Sequence, residues 1–121
     1  MFDPSANVAH RAQNTAISLG VAIPDNAIII NGVVDVITTF TSGGGDAATI
    51  AIQVEGANDI VTAVAISDGS NPWDAGLHTV ATTNAAPIKT TSARIITATT
   101  AGSQDLTAGK VIIWLEYLVS E

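Results

Sequence analysis

Thr49-Ile50-Ala51-Ile52-Gln53-Val54-Glu55 decides the fold class. Ile50, Ile52 and Val54 fall on one side of an extended chain, and Thr49, Ala51, Gln53 and Glu55 on the other. That two-residue period predicts a strand with one dry and one wet face.

Working outward, the same branched residues dominate the rest of the chain, and a branched Cβ favours a pleated surface over a helix. Thr15–Ile23 is predicted as a strand, closed by the turn Pro24-Asp25-Asn26. Ala27–Thr41 is a long β-rich stretch in which Asn31-Gly32 is a tight turn or a bulge. Ser42-Gly43-Gly44-Gly45-Asp46 breaks it, as a flexible hairpin tip. Asn58–Ser67 has two readings. Ile60, Val64 and Ser67 have helical spacing behind a cap at Asn58 or Asp59, so a short helical turn is expected near 58–67, with a strand as the alternative. Asp68–Gly76 is a loop, and Leu77–Pro87 a loop with a short strand. Lys89–Thr100 is a strand, Ala101–Lys110 a turn and Val111–Val119 the last strand. That last strand is apolar on both faces: Val111, Ile113, Leu115 and Tyr117 on one, Ile112, Trp114 and Leu118 on the other. A strand without a wet face belongs in a sheet centre or a subunit interface.

Six to eight short strands in one chain predict an all-β fold, an antiparallel β-sandwich of jelly-roll or immunoglobulin-like topology. The sandwich is expected over 15–121. Residues 1–14, polar and without a period, are expected as an N-terminal arm, either frayed or ordered on a neighbouring subunit.

The chain has 121 residues and a net charge of -7, and only 12% of its residues are charged. Four scattered bases cannot neutralise a row of phosphates, which argues against nucleic acid as a partner. Hydrophobic residues make up 47% of the chain, which argues against disorder. There is no cysteine, hence no disulfide, thiolate nucleophile or cysteine-held metal. Met1-Phe2-Asp3-Pro4 has no basic start and no apolar stretch after it, so no secretory leader is expected. The apolar runs are short, so no membrane partner is expected either.

Residue types that perform chemistry are present but do not group. Ser67, Asp68 and His78 have the types of a nucleophilic triad without its strand–turn–helix context, and His10 lies far away in sequence. Gly43-Gly44-Gly45 lacks the Lys-Ser/Thr of a phosphate loop. Asp68-Gly69-Ser70-Asn71 lacks the acids and closing Glu of a calcium loop. Nothing singles out a pair from Glu55, Glu116 and the aspartates for glycoside chemistry. No enzymatic activity, cofactor or metal is expected. Trp114 is expected in a core or an interface, and Trp73 as the plug of one sandwich end, an interface residue or a sugar-stacking platform.

Asp35–Ser42, Asp46–Ile50, Ala65–Asp68, Asn71-Pro72-Trp73-Asp74-Ala75-Gly76, Lys89–Arg94, Leu106–Lys110 with Glu116-Tyr117, and the start Met1–Asn7 occur in an order and spacing that resemble small structural proteins of tailed bacteriophages. The resemblance covers nearly the whole chain and points to head decoration, or cement, proteins. It implies jelly-roll modules that sit as trimers on the capsid exterior, without catalytic residues. The glycine-rich Ser42–Asp46 turn is longer than that pattern leads one to expect. By the resemblance, the partners are further copies in a homotrimer and the major capsid protein, and the location is the outside of the virion. Arg11, Trp73, Arg94, Trp114 and Tyr117 are the candidate interface residues, and Arg11, Lys89, Arg94 and Lys110 the candidate partners of capsid acids. A carbohydrate-binding or lectin-like module of a head or tail fibre, built on Trp73, is the alternative.

Overall fold

The structure, a computed structural model, describes residues 1–80, 87–102 and 104–120. Two antiparallel sheets of four strands each form a β-sandwich. The strands are β1 (Ala16–Ile23), β2 (Ala27–Ser42), β3 (Thr49–Gln53), β4 (Val61–Ala65), β5 (Gly76–Thr79), β6 (Ile88–Lys89), β7 (Arg94–Ala101) and β8 (Leu106–Val119). The first sheet has the order β1-β7-β3-β4. The second is built on β2, which pairs with β8 along its length and with β5 and β6 on its other side.

The period in Thr49–Glu55 holds at six of its seven positions: Ile50, Ile52 and Val54 are buried, and Thr49, Gln53 and Glu55 stay half in water. Ala51 is buried as well, because β3 lies between β7 and β4 and its methyl is too short to clear them. Across the gap, Ile29, Val34, Val36, Phe40, Leu106 and Val111 supply the other half of the core.

Asn58–Ser67 corrects the helical expectation. Val61–Ala65 is strand β4, with Ile50 opposite Val64 and Thr49 opposite Ala65. Asp59 does cap, but it caps a turn. Its carboxylate accepts the N–H groups of Val54, Glu55 and Gly56 at 2.8–2.9 Å, while Asn58 takes the left-handed backbone (φ 60°) that reverses the chain.

Ser42–Asp46 is not a hairpin tip, because β2 and β3 belong to different sheets. It is the corner between them. Gly44 and Gly45 have φ of 66° and 74°, Asp46 follows at 60°, and the Asp46 carboxylate accepts the Ser42 N–H at 2.7 Å. Only glycine adopts two such angles in succession without a steric penalty.

The expected strand Lys89–Thr100 is also split between sheets, into β6 and β7. The crossing is held by buried Thr90, whose hydroxyl donates to the Pro24 carbonyl at 2.7 Å and accepts the Ala27 N–H at 2.9 Å. Asn31-Gly32 is a bulge, marked by the register shift between Ile29 and Asn31. β8 starts at Leu106, within the stretch expected as a turn. Gly109 makes this continuity possible: its φ is 139°, and a Cβ there would collide with the Phe40 ring. Of the expected Leu77–Pro87 loop, Gly76–Thr79 forms the short strand β5, and residues 81–86 lie outside the described residues.

Residues 1–14 are folded onto the chain's own sandwich, where an arm either frayed or ordered on a neighbouring subunit was expected. Phe2 is fully buried; it donates its N–H to the Val111 carbonyl at 3.1 Å and accepts the Val111 N–H at 2.9 Å. Its ring stacks on Phe40 (5.7 Å) and His10 (5.4 Å). A single aromatic in a polar segment has no period, so the sequence carries no sign of this burial.

Candidate interaction surface

The surface is built on β8 and its neighbour β2. Val34, Val36 and Val111 face the core, so the alternate residues face outward. Opposite pairs share a face. This places Val33 beside Trp114, Asp35 beside Ile112, Asn31 beside Glu116 and Ile28 beside Leu118 on the outside. β5 and β6 extend the same face with Leu77 beside Asp35 and Lys89 beside Ile28. Leu77 is 73% exposed, Trp114 62% and Leu118 59%. Between Trp114, Leu115, Glu116 and the Asn31–Val33 bulge lies a shallow open groove of about 190 Å³.

Tyr117 and Val119 have the parity of the core-facing side, opposite fully buried Ile29 and Ala27, yet both are exposed. The last turn of pleat on β8 therefore runs past the cover of the first sheet. Trp114, Tyr117, Leu118 and Val119 form one apolar end with water on both faces.

The edge of this strand is divided too. Val111 turns its N–H and carbonyl away from β2 to meet Phe2, and Gly109 does the same toward Ser5, whose hydroxyl accepts the Gly109 N–H at 2.9 Å. By the alternation of an antiparallel ladder, the N–H and C=O groups of Ile113, Leu115, Tyr117 and Val119 point the same way. Among the described residues, nothing pairs with them.

No family, curated protein or solved structure matches the chain.

The remaining predicted site residues lie elsewhere. Trp73 has no exposed surface. It packs edge-on against Phe40 at 5.4 Å, and its backbone N–H donates to the Asn71 side-chain oxygen at 2.7 Å. It plugs the sandwich, so neither an interface role nor a sugar platform is open to it. Arg11 is turned inward on its own segment, donating to the Pro4 carbonyl at 2.7 Å. Arg94 grips Glu55 with two N–H groups, at 2.8 and 3.1 Å, tying the end of β3 to the start of β7. Hydrogen bonds from Arg94, and then from Thr91, hold the Glu55 carboxyl down at about 2. Lys110 reaches Asp3 at 3.7 Å. Of the five candidates, the structure thus leaves Trp114 and Tyr117 exposed, on opposite faces of the same strand end, and commits Arg11, Trp73 and Arg94 within the chain.

Ser67, Asp68 and His78 are engaged separately. The Asp68 carboxylate accepts the backbone N–H and hydroxyl of Ser70, which keeps its pKa below the ordinary range. His78 Nε2 is 2.7 Å from the Asp74 carbonyl. Sequence reasoning missed Leu77 and Leu118 as members of the surface. Leu118 was legible as part of a two-sided strand, whereas Leu77 sits in a segment too weakly patterned to assign.

Proposed function

We propose that the chain is a non-catalytic decoration (cement) protein of a tailed-phage capsid. It binds the outer surface of the assembled head through the major capsid protein and through copies of itself, a homotrimer by the resemblance. The observation that carries this reading is the outward face formed by Leu77, Ile112, Trp114 and Leu118, on a chain in which only 12% of residues are charged. Apolar patches rimmed by polar groups are contact surfaces. Fully burying one large apolar side chain contributes about 1.5–3 kcal/mol. A chain that binds the finished shell but not its free subunits stabilises the shell by mass action. The net charge of -7 keeps free copies soluble before they dock. The resemblance of the segment order to that of phage structural proteins is what supports the virion location. Burial of Trp73 removes the platform on which a carbohydrate-binding module would rest.

The test uses purified chain and emptied heads of the phage that encodes it. Saturable cosedimentation and a higher rupture temperature of the heads are expected. Trp114→Thr combined with Leu118→Thr lowers occupancy at least tenfold. Absence of the chain from purified virions, with no binding to emptied heads, overturns the reading.

A further inference from the structure

The free stretch of the β8 edge is bounded on one side by Phe2, which pairs with Val111, and on the other by the end of the strand at Val119. Seven residues remain, Ile113–Val119, and Glu116 is their midpoint. We propose that this edge pairs with the same edge of a second copy, antiparallel about a two-fold axis at Glu116, and that the paired β8 strands join two second sheets into one continuous sheet. This proposal does not depend on the capsid reading.

The register follows from the edge itself. A two-fold axis at Glu116 sets Ile113 against Val119 of the second copy, Trp114 against Leu118 and Leu115 against Tyr117. Each pair is apolar. The outward N–H and C=O groups at 113, 115, 117 and 119 then meet their counterparts as hydrogen-bonded pairs, and 114, 116 and 118 meet as the closer non-hydrogen-bonded ones. The pairing uses the whole free stretch and stops before Val111, so Phe2 need not be displaced. It also covers Tyr117, Leu118 and Val119, which the chain's own first sheet leaves in water.

Three further observations favour this occupant. The chain already performs strand addition on this edge, at Val111 and Gly109. The free stretch contains no proline and no lysine, residues that blunt an exposed edge, and Glu116 is its one charge. The other sheet edges suit a long pairing poorly: β4 has five residues, β5 four, and β1 is interrupted by a register shift beside Gly20 at φ 78°. An isologous contact closes at two copies. A three-fold ring would have to set β8 against one of those shorter or broken edges, so at this surface the edge gives a dimer where the resemblance implies a trimer.

Glu116 is the price of specificity in this arrangement, because the two copies bring like charges directly opposite. It limits the affinity of the pairing.

The full chain supplies its own test. Sedimentation at micromolar concentration is expected to show a dimer. The chain contains no cysteine, so Glu116→Cys introduces a single thiol at the axis. Non-hydrogen-bonded antiparallel partners lie about 4.5 Å apart at Cα, within the range of roughly 4.4–6.8 Å that a disulfide spans. Mild oxidation is therefore expected to crosslink Glu116→Cys into a dimer, with Thr62→Cys, exposed on β4, as the slow control. Tyr117→Pro removes an edge N–H that does not serve the β2 ladder, so it is expected to weaken the dimer at least tenfold while the melting temperature of the monomer holds. Should that variant lose its fold, the crosslinking result decides alone. Glu116→Gln is expected to tighten the dimer roughly two- to fivefold. A monomer or trimer at micromolar concentration overturns the proposal, and so does a dimer in which Glu116→Cys crosslinks no faster than Thr62→Cys.

Discussion

The two halves of β8 run along the same neighbouring strand and meet opposite fates. Leu106 and Val111 in the first half are buried, and its free edge is closed by Phe2 and Ser5. Ile112–Val119 in the second half carries Trp114, Leu118 and Val119 in water, and its edge groups are open. Both halves pair with β2. What separates them is cover: the first half has a layer of Phe40 and Phe2 against it and the second half does not. Hydrophobicity along a strand therefore shows that something must cover it, and leaves open whether that cover comes from the same chain.

Breaking the covered half has the largest expected effect. Phe2→Ala opens a cavity beside Phe40 and frees the edge at Val111, and should lower stability by about 3–5 kcal/mol in a urea titration. Gly109→Ala comes next. It sets a methyl against the Phe40 ring at a φ of 139°, and a loss of about 1–3 kcal/mol is expected in the same titration.

Acid should loosen the covered half more gently. His10 stacks on Phe2 and its Nδ1 accepts the Asp3 N–H at 3.0 Å, which only the neutral ring can do. Burial, and then the nearby N-terminal ammonium, lowers its pKa below the ordinary 6.5. The unfolded chain thus takes up the proton first, and stability falls as pH drops below 6.5. Replacing His10 with Gln should flatten that part of a melting-temperature profile. Glu55, held at about 2 by Arg94, adds a second decline as pH falls from about 4.5 toward 2, which Glu55→Gln should abolish.

The smallest stability effect belongs to the open half. Trp114→Thr should change monomer stability by no more than about 0.5 kcal/mol, while sharply reducing self-association measured by sedimentation. A stability loss as large as that of Phe2→Ala would erase the distinction between the halves.

Much of the fold was legible because its signals are local. Ile50, Ile52 and Val54 announce a one-sided strand by spacing alone, and Val111–Val119 announces a two-sided one. Asn58–Ser67 was ambiguous because Ile60 and Val64 satisfy a helical period by coincidence. The deciding interaction, three N–H groups on Asp59, depends on the arrival of β3. The split at Thr90 and the corner at Gly44-Gly45 were invisible for a related reason: a strand's sequence does not say when the chain changes sheets. The candidate surface was half legible. Trp114 and Tyr117 were identified from a strand lacking a wet face, but the arginines were not, since a lone cation in a sequence does not reveal whether its acid, here Glu55, is in the same chain.

The closure of β8 by the first residues also sets a timetable. Ser5 and Gly109, which bond to each other, are 104 residues apart. At ~5–20 residues per second, a ribosome needs roughly 5–20 s to deliver the second after the first. Throughout that interval Phe2 has no strand to lie against. The newborn chain must carry the Phe2 side chain without this partner until β8 emerges, and the sandwich locks only then.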